Sequence, residues 1–142
     1  MFSKTCEYAI KAMLYLQSAS AEGRSINLKA IAEHIDSPEA FTAKILQQLR
    51  RRQLLHSSLG TQGGFKINPD QTIYLADIVS AIDGPGLLTG CALGLKQCSE
   101  QMPCPLHNDF KRIRNDLKNM LEKTSLQSIA SDILKGNTHL KL

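Results

Sequence analysis

Three of the chain's four cysteines, Cys91, Cys98 and Cys104, fall in one short stretch, and His107 follows the last of them by three positions. Soft thiolate ligands favour zinc, copper(I) or iron–sulfur clusters. Six residues separate Cys91 from Cys98, and five separate Cys98 from Cys104. Structural zinc sites usually use tighter pairs, with about two to four residues between ligands. A cluster is larger than one ion, so a loop can wrap it in wider steps. The spacing therefore favours an iron–sulfur site, with zinc and uncoordinated thiols as the other readings.

The stretch around these residues is rich in Gly and Pro, which makes it a loop that presents sulfur. Pro105 suits the first position of a helix, where a missing N–H is no loss. The positive end of that helix then lies beside Cys104 and favours thiolate over thiol. His107 would occupy its first turn, from which its ring can reach back towards the loop.

The fourth cysteine, Cys6, lies with Glu7 in the first turn of a helix over 4–18. Ser3 caps it, and Ala9, Ala12, Met13 and Leu16 recur at helical spacing. Cys6 reads as a small, partly buried residue, and Glu7 as an acid placed well for the helix dipole. Asn27 caps a second helix, whose apolar stripe is Leu28, Ile31, Ala32 and Ile35.

Ser37 reads as the cap of a third helix, with Pro38 in its first position and Glu39 following. Phe41, Ile45 and Leu49 form its buried stripe. Ala40, Ala43, Lys44, Gln47 and Arg51 lie roughly opposite. Two short helices joined by a tight turn, the second with such a face, read as helix-turn-helix. Small residues let the backbone approach base edges, while Lys44 and Gln47 can donate hydrogen bonds in the major groove.

A glycine-rich hairpin follows at once. Leu54 and Leu55 start one strand, Gly60, Gly63 and Gly64 turn the chain, and Phe65, Lys66 and Ile67 return. That arrangement is a wing, with Thr61, Gln62 and Lys66 placed to touch nucleic acid. From Phe41 to Lys66 there are five basic residues and no acidic one, as phosphate contact requires. The excess charge is confined to this half. Residues 1–66 carry nine Lys/Arg against five Asp/Glu, whereas the remainder carries eight of each.

A fourth helix is expected over 72–82, stopped by Asp83-Gly84-Pro85-Gly86. A long helix over 105–123 places Leu106, Phe110, Ile113, Leu117, Met120 and Thr124 at steps of four and three, a short heptad seam suited to pairing with a second copy. A last helix covers about 125–134. The expected fold is mainly α with a small β-wing. Residues 1–83 form a winged helix-turn-helix DNA-binding domain, 84–104 the cysteine-rich cluster-binding loop, and 105–142 the dimerisation helix and C-terminal helix. No apolar run spans a bilayer and no leader is visible, which points to the cytosol.

In order and spacing, these features resemble the IscR/NsrR/RirA-type winged-helix regulators of the Rrf-two family, over almost the whole chain. The resemblance rests on Tyr8-Ala9-Ile10-Lys11-Ala12-Met13, Ile31-Ala32-Glu33, Phe41-Thr42-Ala43-Lys44-Ile45-Leu46, Gly63-Gly64-Phe65 and the three-cysteine loop. It implies a homodimer on a partly palindromic double-stranded DNA operator, with each recognition helix in a major groove and each wing on backbone or minor groove. It also implies an iron–sulfur cluster on Cys91, Cys98 and Cys104 whose state changes operator affinity.

For the fourth ligand the resemblance offers two candidates. IscR-like members have a cysteine-then-histidine arrangement matched by His107, implying a two-iron two-sulfur cluster within one subunit. NsrR-like members use an acidic residue in the place of Glu7, contributed by the partner subunit to a four-iron four-sulfur cluster. His107 is preferred, because imidazole is the commoner nitrogen ligand on iron and is local in sequence. One departure is Leu59, where some relatives carry an arginine that reads a base, so their operator is not carried over.

The competing classes are weaker. An electron carrier needs neither a helix-turn-helix nor a basic half, and no nucleophile–base signature of a hydrolase or transferase is present. A zinc-stapled DNA-binding protein without sensing would be colourless, whereas cluster protein is brown or red.

Overall fold

The computed structural model describes residues 1–96 and 99–140. Helix α1 (Lys4–Ala21) is the centre of the molecule, and α2 (Leu28–His34), α3 (Glu39–Arg51), α4 (Leu75–Ile82) and α7 (Leu126–Leu134) all pack against it. Its small residues Ala9, Ala12 and Ala19 let these neighbours approach, while Met13 and Leu16 fill the space between them. Strands β1 (His56–Ser58) and β2 (Gly64–Lys66) form the wing. They pair antiparallel, with His56 opposite Lys66, Ser57 opposite Phe65 and Ser58 opposite Gly64. Helix α6 (His107–Lys123) packs on α4 and on the short α5 (Gly86–Thr89), which lies in a stretch expected to be loop.

The expected caps at Ser3 and Asn27 are present, and Ser125, read as the start of the last helix, is its cap. Their side-chain oxygens accept from the amides of Cys6, Ala30 and Ser128 at 3.0, 2.8 and 3.1 Å. The other helix ends follow a second rule. After α1, α2, α3 and α7, the amide two places beyond the cap turns back to the third-last helical carbonyl: Arg24 to Ala19, Ser37 to Ala32, Leu54 to Leu49 and Asn137 to Asp132. The residue in the left-handed turn is Gly23 or Gly136 in two cases, but Asp36 (φ 51°) and Gln53 (φ 59°) in the other two.

Several expected boundaries move, each for a physical reason. Helix α3 starts at Glu39 with Pro38 as its cap, and Ser37 supplies no capping bond because it belongs to the reversal that ends α2. Helix α4 starts at Leu75 rather than at residue 72, because Tyr74 is extended and bridges to Ser125. The Leu126 amide donates to the Ile73 carbonyl at 2.8 Å and the Leu75 amide to the Thr124 carbonyl at 3.0 Å. Asp77 then caps α4 by accepting from the Tyr74 amide at 2.8 Å. Helix α6 begins at His107, two residues after Pro105. Leu54 and Leu55 precede β1 and lie buried in the core.

The core is continuous through both halves of the chain. Ile31, Ile45, Leu49, Ile73, Ile78 and Leu121 are all fully buried in one cluster with α1. The wing is locked to this body on two sides. The Ile67 amide donates to the buried Ser20 hydroxyl at 2.8 Å, and Ile26 and Phe65 exchange both backbone hydrogen bonds at 2.9 and 2.8 Å.

That pairing brings the Ile26 backbone against Gly64, which has φ 147°. A Cβ at Gly64 would lie 2.6 Å from the Ile26 carbonyl oxygen. Gly64→Ala is therefore expected to separate the wing from the 24–27 segment and to lower the unfolding free energy by about 1–3 kcal/mol. Thermal and urea denaturation of the two proteins measure this, and an unchanged midpoint would contradict it.

Candidate functional site

Helix α3 carries its face as the sequence implies. Thr42, Ile45, Leu46 and Leu49 are buried, and Ala40, Lys44, Gln47 and Arg51 are exposed along the opposite side, with Ala43 half-buried among them. The tight reversal at Asp36 sets the angle between α2 and α3. The Phe41 ring meets Tyr8 of α1 edge-on at 5.7 Å, which fixes the roll of the helix. The Thr42 hydroxyl is occupied by the Pro38 carbonyl at 3.0 Å. Ser37 lies half-buried in the turn with its hydroxyl oxygen enclosed, so it is the least accessible of the expected DNA-facing residues.

The wing stands next to this helix, and a bond that sequence reasoning missed joins them: Arg50 donates to the Ser57 hydroxyl of β1 at 2.8 Å. The run Arg50-Arg51-Arg52 signalled phosphate contact, but not that one guanidinium holds the hairpin. Thr61, Gln62 and Lys66 are exposed, and Thr61 and Gln62 share a polar cleft with Arg24, Ser25 and Asn27. From Phe41 on, the helix face and the wing thus carry donors and cations over a stretch without a carboxylate. Such a surface can accept phosphates at its edge and read base edges at its centre.

The cysteine loop lies against the other end of the molecule. Cys91 and Cys104 are half-buried, and His107 is buried, with 7% of its surface exposed. The His107 amide donates to the Cys104 carbonyl at 3.0 Å, so these two residues occupy one turn at the entrance of α6. Two further contacts hold the loop to that helix: Arg114 donates to the Gly90 carbonyl beside Cys91, and Lys111 pairs with Glu100. Lys111 holds the Glu100 carboxyl below its ordinary range, and His107 acts in the same direction. Cys91 also lines an apolar cleft of about 320 Å³ with Leu87, Phe110, Ile113 and Leu117.

Cys98 lies outside the described residues. Among the described residues, no group of three or more His, Cys, Asp and Glu side chains stands within metal-binding reach. The donor chemistry suits a thiolate-held group, and Cys104 and His107 already share one turn. Glu7 is partly exposed on α1 and pairs with Lys4 at 2.8 Å, which holds its carboxyl below the usual range.

Cys6 is placed differently. It is fully buried, and burial pushes its thiol up to about 12, with the neighbouring Asp83 carboxylate adding to the effect. Asp83 also accepts from the Ser3 amide at 3.0 Å and from the Ser3 hydroxyl. This knot ties the end of α4 to the start of α1, and no sequence pattern announced it.

A family model described as Rrf2, iron-dependent transcriptional regulator, matches residues 2–132. The chain belongs to the Rrf2 family. It is a transcriptional regulator of the helix-turn-helix type, from a family that binds DNA, and its relatives are regulators rather than enzymes. An HTH-type transcriptional regulator of Mycobacterium tuberculosis is 31% identical over 134 residues, covering 93% of this chain and 82% of that one. CymR of Bacillus subtilis is 26% identical over 125 residues, covering 87% and 85%. Among solved structures, B. subtilis CymR, titled the global cysteine regulator, superposes with a TM-score of 0.75 at 26% identity, covering 92% of this chain and 96% of that one. T. potens IscR superposes with a TM-score of 0.76 at 19% identity, covering 99% and 93%, a likeness of fold. The winged-helix fold expected from the sequence is the observed one. Among the described residues, no helix is long and apolar enough to cross a membrane.

The raised Cys6 thiol implies a reactivity order in this Rrf2 protein. A thiol held up to about 12 stays protonated at pH 8, and the thiolate is the nucleophile. Iodoacetamide applied to the native protein at pH 8 is expected to label Cys104 while leaving Cys6 unmodified until denaturant is added, as read by mass spectrometry of the peptides. The linkage has a definite sign: protonated Cys6 favours the folded state below the ordinary thiol pKa of 9.0, and this contribution declines between there and about 12 as pH rises. Labelling of Cys6 at the rate of Cys104 in folded protein would contradict the assignment.

Proposed function

We propose that this chain is a dimeric, DNA-binding regulator whose operator affinity follows the state of an iron–sulfur cluster held by Cys91, Cys98 and Cys104. The observation that carries the reading is the turn at the entrance of α6, which couples Cys104 to a buried His107. His107 is the fourth ligand in this reading, and Glu7 of the partner subunit is the alternative. A two-iron two-sulfur cluster is favoured, with a four-iron four-sulfur cluster as the other form. When bound, the cluster supplies chemistry that responds to oxidants, nitric oxide or iron supply. The family description, iron-dependent, supports this reading.

Labour is divided along the chain. Residues 1–83 bind double-stranded DNA, 84–104 wrap the cluster, and 105–142 join two copies while closing the core of each. Ala40, Ala43, Lys44, Gln47 and Arg51 of α3 face the major groove, with Ser37 at its entrance, and Thr61, Gln62 and Lys66 bring the wing to the neighbouring backbone. For dimerisation the support is the seam on α6. Leu106, Phe110, Ile113 and Met120 are exposed on one side, Ile113 by 55%, although Leu121 of the same helix is fully buried. An apolar stripe of that kind is covered when a second α6 packs on it.

A second reading, a zinc- or thiol-containing regulator without a cluster, is favoured by one finding. CymR, titled a cysteine regulator, is as close in fold as IscR. Protein purified without oxygen separates the two. Cluster protein is coloured and carries iron and sulfide, and Cys91→Ser, Cys98→Ser or Cys104→Ser removes both, whereas Cys6→Ser leaves them. His107→Ala is expected to change the absorption and electron paramagnetic resonance spectra while Glu7→Ala does not, and the reverse result moves the fourth ligand to Glu7. Colourless protein with bound zinc, or with no metal, establishes the second reading.

The DNA surface has its own test. Arg51→Ala is expected to weaken binding to all duplexes and to reduce the slope of log affinity against log salt by about one. Gln47→Ala instead changes sequence preference, by about 1–3 kcal/mol at one position. Ile113→Asp with Leu117→Asp buries unpaired charge in the seam, and sedimentation is expected to show monomers. Unchanged salt slopes and an intact dimer would place both surfaces elsewhere.

A further inference from the structure

The wing carries a side chain that the readings above leave without a task. Leu59 is 101% exposed, and it is the only exposed large apolar side chain in residues 2–73. It stands at the tip of the hairpin, one residue beyond the last pair, Ser58 with Gly64. From Ser57 to Phe65 the chain has no charged residue. The cations sit at the base instead: Lys66 pairs there opposite His56, and Arg50 reaches Ser57 from α3.

The backbone that presents Leu59 is closely packed although the side chain is not. The Gly63 amide donates to the Gly60 carbonyl at 3.0 Å, closing a tight turn. A Cβ on Gly63 would lie 2.4 Å from the Ser58 carbonyl oxygen and 2.8 Å from the Leu59 carbonyl carbon. The returning chain therefore lies directly against Ser58 and Leu59, and the leucine projects from a folded platform. Gln62, an amide able to donate and accept, is exposed beside it.

We propose that Leu59 enters the minor groove next to the major groove read by α3, and acts there as an apolar wedge that selects an easily unstacked base step. This rests on the DNA-binding reading and adds a specificity-determining residue to it. The dimensions agree. Three residues of strand carry the chain about 10 Å from the His56–Lys66 pair to Leu59, and the minor groove is about 7.5 Å deep and about 6 Å wide. With the basal cations at the phosphate rim, the tip reaches the groove floor. A neutral tip gains little from phosphate, but an apolar side chain gains by leaving water against exposed base faces. Inserted leucines unstack base pairs and kink the duplex, at least cost where the step is TA or CA/TG.

The test uses the full-length protein, a pool of synthetic duplexes randomised over the bound region, and sequencing of the retained fraction. Wild type is expected to enrich TA or CA/TG at one position beside the bases selected by α3, and Leu59→Met to keep that enrichment. Leu59→Ala is expected to lose the step while keeping the α3 positions, and to bind the best wild-type duplex about tenfold more weakly. Its bend, read by circular permutation in gels, should fall. Leu59 is exposed, so thermal melting of Leu59→Ala checks that the fold is kept. Equal affinity, equal bending and the same enriched step in Leu59→Ala would overturn the wedge while leaving the DNA reading in place. A wild-type protein that retains no duplex at all would overturn both.

Discussion

The broad buried face of α1 is the constraint on which the rest depends. An amphipathic helix at a domain surface needs one partner face. Here Cys6, Ala9, Ala12, Met13, Leu16 and Ala19 are all essentially inaccessible, and the partners come from the whole length of the chain. Helices α2 and α3 cover α1 from the N-terminal half, while α4 and α7 cover it from further on. The recognition helix is therefore placed by a core that is complete only when residues 121–130 have returned to it. Leu121 and Leu126 close that core, so the segment assigned to joining two copies also holds the DNA-binding half together.

Much of this was legible in local chemistry. Ser3, Asn27 and Ser125 mark helix starts because a short side-chain oxygen can accept from the next turn, and this needs no knowledge of the fold. The face of α3 was legible because burial of Ile45 and Leu49 leaves Lys44, Gln47 and Arg51 on the other side. What was not legible depends on partners distant in sequence. Residues 72–74 are read as the start of a helix, yet Tyr74 is extended and bridged to Ser125, a partner distant in sequence. The reversals at Asp36 and Gln53 lack the glycine that usually announces them, so Ser37 was read as a cap when it closes the previous helix.

The candidate site divides in the same way. The cysteine spacing named a loop that presents sulfur, and the pairing of Cys104 with His107 follows from three residues of separation. The contacts that hold the loop were silent in the sequence, because Arg114 and Glu100 look like ordinary surface charges on a helix and a turn. Cys6 was distinguishable from the other cysteines only by its position in an apolar helix stripe. Its environment, sealed by burial and the Asp83 carboxylate, holds it as a protonated thiol.

Asp83 stands where α4 hands the chain on to the segment that carries the cysteines. It ends α4, accepts two hydrogen bonds from Ser3 at the start of α1, and immediately precedes the segment that leads to Cys91. Two residues earlier, the Ala81 carbonyl accepts from the Gln48 side chain of α3 at 2.9 Å. The end of α4 is thus bonded to α3 on one side and to α1 on the other, and the cysteine loop begins there. Only the short α5 intervenes between that joint and Cys91, and α5 is itself packed on α6. The cysteine loop, α6 and α3 therefore share one short connection, made of backbone carbonyls and a single carboxylate.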